Sequence, residues 1–326
     1  MFLIAELFCI LQIFPQDKTG NFFDFCKEFV HFSVSPSFSF HYGNQDESVF
    51  VQMDSGENAL LSYLEWNQMP LLFASASSEL GIQNAYIQAT FSIALPSEAG
   101  LVLDSDWMNI INSTDSSIYD LKTNYSESAS VLDSEYYLKL QTGYRFPVAD
   151  EIFLEPFVGF DYNYSSFYAR GGTAWYGGTK AYNDESAVVK VFDGNVLRLQ
   201  RNFLISWLGL RSQVCFKDKL RLSAAFAFSP FIYAQSLDSH LLRKMYYLDE
   251  LSEFLSAVKI EGKAEYAFTP LHRIFLTISY EQSAEILGKT YSRSEDTNWK
   301  VSDSSAGASF WNFRISAGYT FVLGKD

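Results

Sequence analysis

The chain has 326 residues, with 24 Lys and Arg against 38 Asp and Glu, a formal net charge of -14, and 17% aromatic residues. An acidic chain is repelled by phosphate backbones, because nucleic-acid binding depends on Lys and Arg displacing condensed counterions. The density of apolar and aromatic residues is also too high for a disordered chain. The composition therefore excludes disorder and argues against nucleic acid as a partner.

The N-terminus carries the longest apolar segment, residues 1–15. It is shorter than the roughly 18 consecutive apolar residues that a membrane helix needs, and no internal stretch reaches that length. We interpret residues 1–20 as a secretory signal, although a positively charged start is missing. The alternative is a buried N-terminal segment. Residues 21–326 then form one domain.

Alternation with a period of two dominates the sequence from residue 30 onward. Between residues 30 and 42, apolar side chains hold the even positions, whereas His and Ser hold the odd ones. Such alternation predicts a strand with two unlike faces. The same pattern, less regular, predicts ten strands at about residues 29–45, 48–77, 84–104, 133–146, 152–169, 196–216, 220–238, 253–268, 273–288 and 308–322.

The predicted connections alternate between short and long. Three short turns follow a phenylalanine, at residues 147–150, 217–219 and 269–273. The long polar stretches are residues 105–133, 171–195, 239–252 and 286–307. A soluble β-sandwich would not segregate loop lengths so regularly. The pattern predicts an all-β fold, a ten-stranded antiparallel transmembrane β-barrel with long extracellular loops and short periplasmic turns.

The strand count also bears on transport. About eight strands leave almost no lumen, and roughly sixteen are needed for an aqueous channel. A ten-stranded barrel is therefore largely filled by its own side chains, which disfavours a porin. The chain also has more residues per strand than the roughly 9–11 of a tilted crossing, so the strands should project beyond the membrane.

Two pairs of polar residues fall at predicted strand ends on the outer rim. Asp104 and Asp106 end the third strand, and Asp238 and His240 end the seventh. A spacing of two places both members of each pair on one face of an extended chain. A carboxylate beside a histidine fixes its tautomer and raises its basicity, so that the imidazole can take a proton from water. Alone, such pairs are also compatible with solvated loop residues or cation ligands.

Several blocks in order resemble the omptins, outer-membrane proteases of Gram-negative bacteria. The resemblance rests on Leu103-Asp104-Ser105-Asp106-Trp107-Met108, Ala169-Arg170-Gly171-Gly172, Asp238-Ser239-His240 and the final Gly318-Tyr319-Thr320-Phe321. Their order and spacing are similar over about residues 30–321. The D-x-D-W-M and A-R-G-G blocks are the specific ones, whereas G-Y-T-F is general to outer-membrane barrels.

The resemblance implies an endopeptidase of the bacterial outer membrane whose active site faces outside. Asp238 would orient His240, and a water between His240 and Asp104 would attack the scissile carbonyl, with Asp106 completing a carboxylate couple. Neither a metal nor another cofactor is implied, and the partners would be peptide or protein substrates. The alternative is a non-catalytic barrel that serves as an adhesin or structural protein.

Two departures from the omptin pattern concern substrate and lipid. Omptins typically cut beside basic residues, and Glu47 resembles one of the acidic groups responsible, whereas Ser236 stands where the second would lie. We still expect basic sites to be preferred, since the chain is acidic. Family members bind lipopolysaccharide through basic residues on the outer wall, but here Phe160, Tyr162 and Tyr164 occupy the corresponding face. Lipopolysaccharide dependence is therefore doubtful.

Overall fold

The computed structural model describes residues 30–53, 56–217 and 219–323. The predicted signal segment lies outside the described residues, as do Cys9 and Cys26. None of the helices in the described part is long and apolar enough to cross a membrane. Apart from a four-residue helix, Asn109–Asn112, and a single 3-10 turn, Ser116–Ile118, the regular structure of this part is β-strand.

Thirteen strands make up the described fold. They are β1 (Val30–Gln52), β2 (Asn58–Ile82), β3 (Ala85–Ala94), β4 (Ser97–Asp106), β5 (Asn124–Tyr144), β6 (Phe146–Ala149), β7 (Ile152–Tyr176), β8 (Val188–Phe216), β9 (Leu220–His240), β10 (Met245–Thr269), β11 (His272–Ser283), β12 (Ile286–Ser294) and β13 (Lys300–Leu323).

All the strand pairs are antiparallel, and the sheet closes because β1 pairs with both β2 and β13. Ten positions form the ring, since β3 with β4 and β11 with β12 each count as one interrupted strand, and the short β6 pairs only with β7. The first interruption contains Pro96, which has no N–H to donate to a ladder. The predicted ten-stranded antiparallel barrel is confirmed.

The strand boundaries differ from the prediction at the end of the barrel opposite the start of β1 and the end of β13. β1 runs to Gln52 and β2 begins at Asn58, whereas the prediction placed the first turn at 46–47, so Glu47 lies within β1. Much of the predicted long loops is strand, and the connections there shrink to 107–123, 177–187, 241–244 and 295–299. These segments are polar, so they do not show the alternation of apolar residues that predicts a membrane strand. They are strands nevertheless, because each one pairs with its neighbours in the sheet.

The two ends of the barrel differ in the side chains that they present. Near the end with the short turns, which we call the turn end, outward side chains are apolar, and Phe38 is 65% exposed. The inward side chains there are polar and include His31, Ser39 and His41. Beyond this apolar band, the ring continues to the other end, which we call the cleft end. The band has the composition expected of a lipid-facing wall.

Two clusters of buried apolar side chains lie between the two ends of the barrel. One includes Trp66, Phe73, Phe167 and Leu199, and the other includes Ile232, all of them fully buried. Members of the first cluster also line the cleft, so these side chains form the floor beneath the cleft end.

We predict that Leu199→Ala lowers the free energy of unfolding by about 2–4 kcal/mol, because a cavity would form in a cluster that cannot collapse around it. Urea unfolding of the refolded protein, followed by tryptophan fluorescence, measures this. Leu204→Ala on the same strand is the matched control, since Leu204 points outward and is 44% exposed. An equal loss in both variants would contradict the packed floor.

Candidate active site

The ends of β4 and β9 meet in one cleft at the cleft end of the barrel. The cleft has a volume of about 840 Å³, and its lining includes Asp104, Asp106, Asp238 and His240. β4 reaches the rim beside β2 and β5, and β9 reaches it beside β8 and β10. The structure therefore brings together all four residues that the sequence singled out.

Asp238 and His240 form a direct contact. Nε2 of His240 lies 2.7 Å from Oδ2 of Asp238. A carboxylate in this place holds the proton on Nε2, so Nδ1 is the nitrogen with a free lone pair. Nδ1 of His240 accepts a hydrogen bond from the guanidinium of Arg243, which lies in the β9–β10 turn. The imidazole is thus held on both sides.

Asp104 and Asp106 lie on the other wall and point into the same space. Ser62 donates to Oδ1 of Asp104 at 3.5 Å, and Asn124 donates to Oδ2 of Asp106 at 3.2 Å. Burial, together with the nearby charges of Asp106 and Asp238, raises the pKa of Asp104 well above its usual range. A buried carboxyl group next to like charges retains its proton more readily. This wall can therefore hold a proton close to the dyad.

Glu47 lines the cleft as expected, but it already has a cationic partner within the protein. Nη2 of Arg201 donates to Oε2 of Glu47 at 3.3 Å, and both side chains are almost fully buried. Arg201 reaches from β8 across the lumen to β1, where Nη1 also donates to the backbone oxygen of Asp46 at 2.9 Å. Burial raises the pKa of Glu47, and the Arg201 charge opposes this.

Ser236 takes part in the same network. Its hydroxyl accepts a hydrogen bond from Nε of Arg201 at 2.6 Å. Ser236 is paired across the ladder with Arg201 on one side and with Asp249 of β10 on the other. The carboxylate expected at position 236 is thus absent, and a different one, Asp249, stands on the next strand. Burial raises the pKa of Asp249 to about 6, against the opposing charge of Arg201.

The roles of Arg201 and Asp249 were not predicted from the sequence. A signal for Arg201 was present, because it interrupts an inward row of apolar residues formed by Leu197, Leu199, Phe203 and Ile205. A charge in such a row requires a buried partner. Asp249 fell in the stretch 239–252, which was predicted to be a loop, so its inward direction could not be inferred.

The outer wall formed by β7 nearer the turn end is aromatic. Phe160, Tyr162 and Tyr164 alternate along β7 and face outward, and Phe160 is 55% exposed. The ring of Tyr164 stacks on Tyr136 of the neighbouring strand, with centroids 5.1 Å apart. This surface carries aromatic rings at the positions where cationic side chains would be needed to bind phosphate groups.

Comparisons with known proteins were made by sequence and by structure. No curated protein matches the sequence. The crystal structure of the outer membrane protease OmpT from Escherichia coli superposes with a TM-score of 0.78 at 18% identity, over 90% of this chain and 97% of that chain. The outer membrane protein OprG from Pseudomonas aeruginosa covers 91% of this chain and 97% of its own at 10% identity, with a TM-score of only 0.34.

The structural match to OmpT shows the barrel fold. At the level of sequence, the profile of the Omptin family matches residues 28–323, which include both strand ends of the cleft. The protein therefore belongs to the Omptin family.

Proposed function

We propose that this omptin-family protein is an outer-membrane protease, an endopeptidase whose cleft faces the outside of the cell. One observation carries the proposal: the Asp238–His240 pair, in contact at 2.7 Å, lines the same cleft as Asp104 and Asp106. An imidazole oriented by a carboxylate and facing a second carboxylate pair is suited to activating water. Family membership supports the same reaction.

In the proposed mechanism, a water lies between His240 and Asp104. Nδ1 of His240 takes one proton from this water, and the oxygen adds to the scissile carbonyl carbon. Asp238 stabilises the imidazolium that forms, as its contact with Nε2 implies. The carbon–nitrogen bond then breaks, and the imidazolium returns the proton to the leaving amine. The chain's own residues supply the base and the orienting carboxylates.

Arg243 must withdraw from Nδ1 before His240 can act as a base. It lies in the four-residue turn 241–244, where its side chain is exposed. A short exposed turn allows the guanidinium to move without disturbing the barrel. A peptide entering the cleft would displace it, and the proposed mechanism then proceeds from the free imidazole.

Polypeptides with basic sites are the proposed substrates. The cleft is lined by Glu47, Asp104, Asp106, Asp238 and Asp249, against the cations Lys190 and Arg243. An excess of one sign in a cleft raises the local concentration of oppositely charged ligands. The rival function, a non-catalytic adhesin, places no demand on the contact between Asp238 and His240.

We predict that His240→Ala lowers peptide cleavage by about 10²–10⁴-fold, the usual contribution of a general base. The measurement is the cleavage of a peptide library by refolded protein in detergent. His272→Ala is the matched control, because His272 lies at the turn end next to Tyr319 and should leave cleavage unchanged. Equal cleavage by wild type and His240→Ala, or none by wild type, would contradict the protease proposal.

We also predict that the purified, refolded protein is active without lipopolysaccharide. The outward aromatic residues Phe160, Tyr162 and Tyr164 suit acyl chains rather than phosphate groups. Cleavage rates in detergent with and without added lipopolysaccharide test this, and little change is expected. Full activity only after lipopolysaccharide is added would show that the lipid is required.

A further inference from the structure

The cleft is lined by two carboxylates, Glu47 and Asp249, that the proposed water activation does not use. Glu47, Asp46, Asp238 and Asp249 all interact electrostatically with the buried cation Arg201. A single guanidinium cannot compensate four carboxylates, so the remaining partners of each one decide whether it is available to a ligand.

Three of the four carboxylates have an ionic partner or two hydrogen-bond donors inside the protein. Glu47 accepts from Arg201 at 3.3 Å, and Asp238 contacts His240 at 2.7 Å. Asp46 accepts from Asn44 at 2.7 Å and from Ser309 at 3.0 Å. The residue that the sequence suggested for substrate binding, Glu47, is therefore already occupied.

Asp249 is compensated less than the other three. Its carboxylate interacts with the hydroxyl of Thr290 and with the charge of Arg201. It is 3% exposed and lines the cleft, and among the described residues its Oδ1 has no hydrogen-bond partner. The same is true of Oδ1 of Asp238, but the other oxygen of Asp238 contacts His240. A buried carboxylate oxygen without a donor is costly, and a ligand that donates to it would recover that free energy. A cationic side chain supplies such donors together with the opposite charge.

The position of Asp249 matches the reach of a substrate side chain. Tyr247 is paired across the ladder with Asp238, and Asp249 is paired with Ser236, so Asp249 lies two residues deeper than the dyad aspartate. Two residues of strand correspond to about 7 Å. Measured from Asp238, which contacts His240, this is about the length over which a lysine or arginine side chain of the substrate extends.

We propose that Asp249 is a specificity-determining residue that binds the basic side chain of the substrate next to the cleaved bond, while Arg201 keeps Glu47 from doing so. The carboxylate that is missing at Ser236 is thereby replaced from the neighbouring strand. This inference rests on the proposed peptidase function for its position in the substrate, but the binding of a cation at Asp249 can be tested separately.

The test compares two peptides that differ only in having arginine or its neutral isostere citrulline before the cleaved bond. The ratio of kcat/KM for the two peptides is measured for wild type, Asp249→Asn and Glu250→Gln. Glu250 is the matched control, because it is the next residue of β10, carries the same charge and is exposed. Asp249→Ser, which copies the neighbouring Ser236, is a second neutral variant.

We expect wild type and Glu250→Gln to prefer the arginine peptide equally, and both Asp249 variants to lose at least about tenfold of that preference, the range of a charged hydrogen bond. An unchanged ratio in the Asp249 variants would overturn the proposal, as would a wild type that prefers citrulline.

A binding measurement separates this proposal from the peptidase function. Dissociation constants of the two peptides are determined by fluorescence anisotropy for His240→Ala with and without Asp249→Asn. If wild type cuts neither peptide but arginine binding still depends on Asp249, the peptidase proposal fails and the site stands. If Asp249→Asn leaves both dissociation constants unchanged, the site proposal is wrong.

Discussion

Closure of the sheet between β1 and β13 is the constraint on which the rest of the structure depends. A lipid environment offers no partner for a free backbone N–H or C=O, so a strand that crosses it must be paired on both edges. The seam runs from Phe32 paired with Leu323 to Val51 paired with Ser304. It therefore extends well beyond the apolar band, and the same ring that satisfies the backbone in lipid builds the walls of the cleft.

The ring of strands sets the geometry of the cleft, because each of the four candidate catalytic side chains belongs to a strand that is paired on both edges. Asp104 and Asp106 are held between β2 and β5, and Asp238 and His240 between β8 and β10. Side chains on rigid strands keep their geometry better than side chains on loops, which favours a site that must place one water accurately. Arg243 lies in the turn between β9 and β10, and it is the residue that must move.

Charge compensation determines what the floor of the cleft can bind. Removing one partner of a buried ion pair is costly, so the pair of Arg201 and Glu47 is expected to persist whatever enters the cleft. The hydrogen bonds that Arg201 donates to Ser236 and to the backbone oxygen of Asp46 hold the guanidinium in place. The result is a cleft in which Glu47 is paired with a cation, whereas Asp249 keeps one oxygen without a hydrogen-bond partner among the described residues.

The sequence was informative where its pattern was regular. The period of two in residues 30–42 and the alternation of connection lengths predicted the barrel, and the strand ends at Asp106 and His240 predicted two residue pairs that the structure brings into one cleft. The boundaries of the first hairpin were missed because residues 46–52 carry no apolar alternation, although pairing with β13 keeps them extended. Arg201 and Asp249 were missed because their roles depend on contacts across the lumen, between strands distant in sequence.

A crystal structure of the protein with a non-hydrolysable peptide analogue would test the central claim most directly. The account predicts that one oxygen, of a water or of a tetrahedral analogue, lies within about 2.6–3.2 Å of both Nδ1 of His240 and a carboxylate oxygen of Asp104, with Arg243 displaced. A complex in which no single atom bridges these two groups, or in which the peptide backbone lies away from them, would contradict the account.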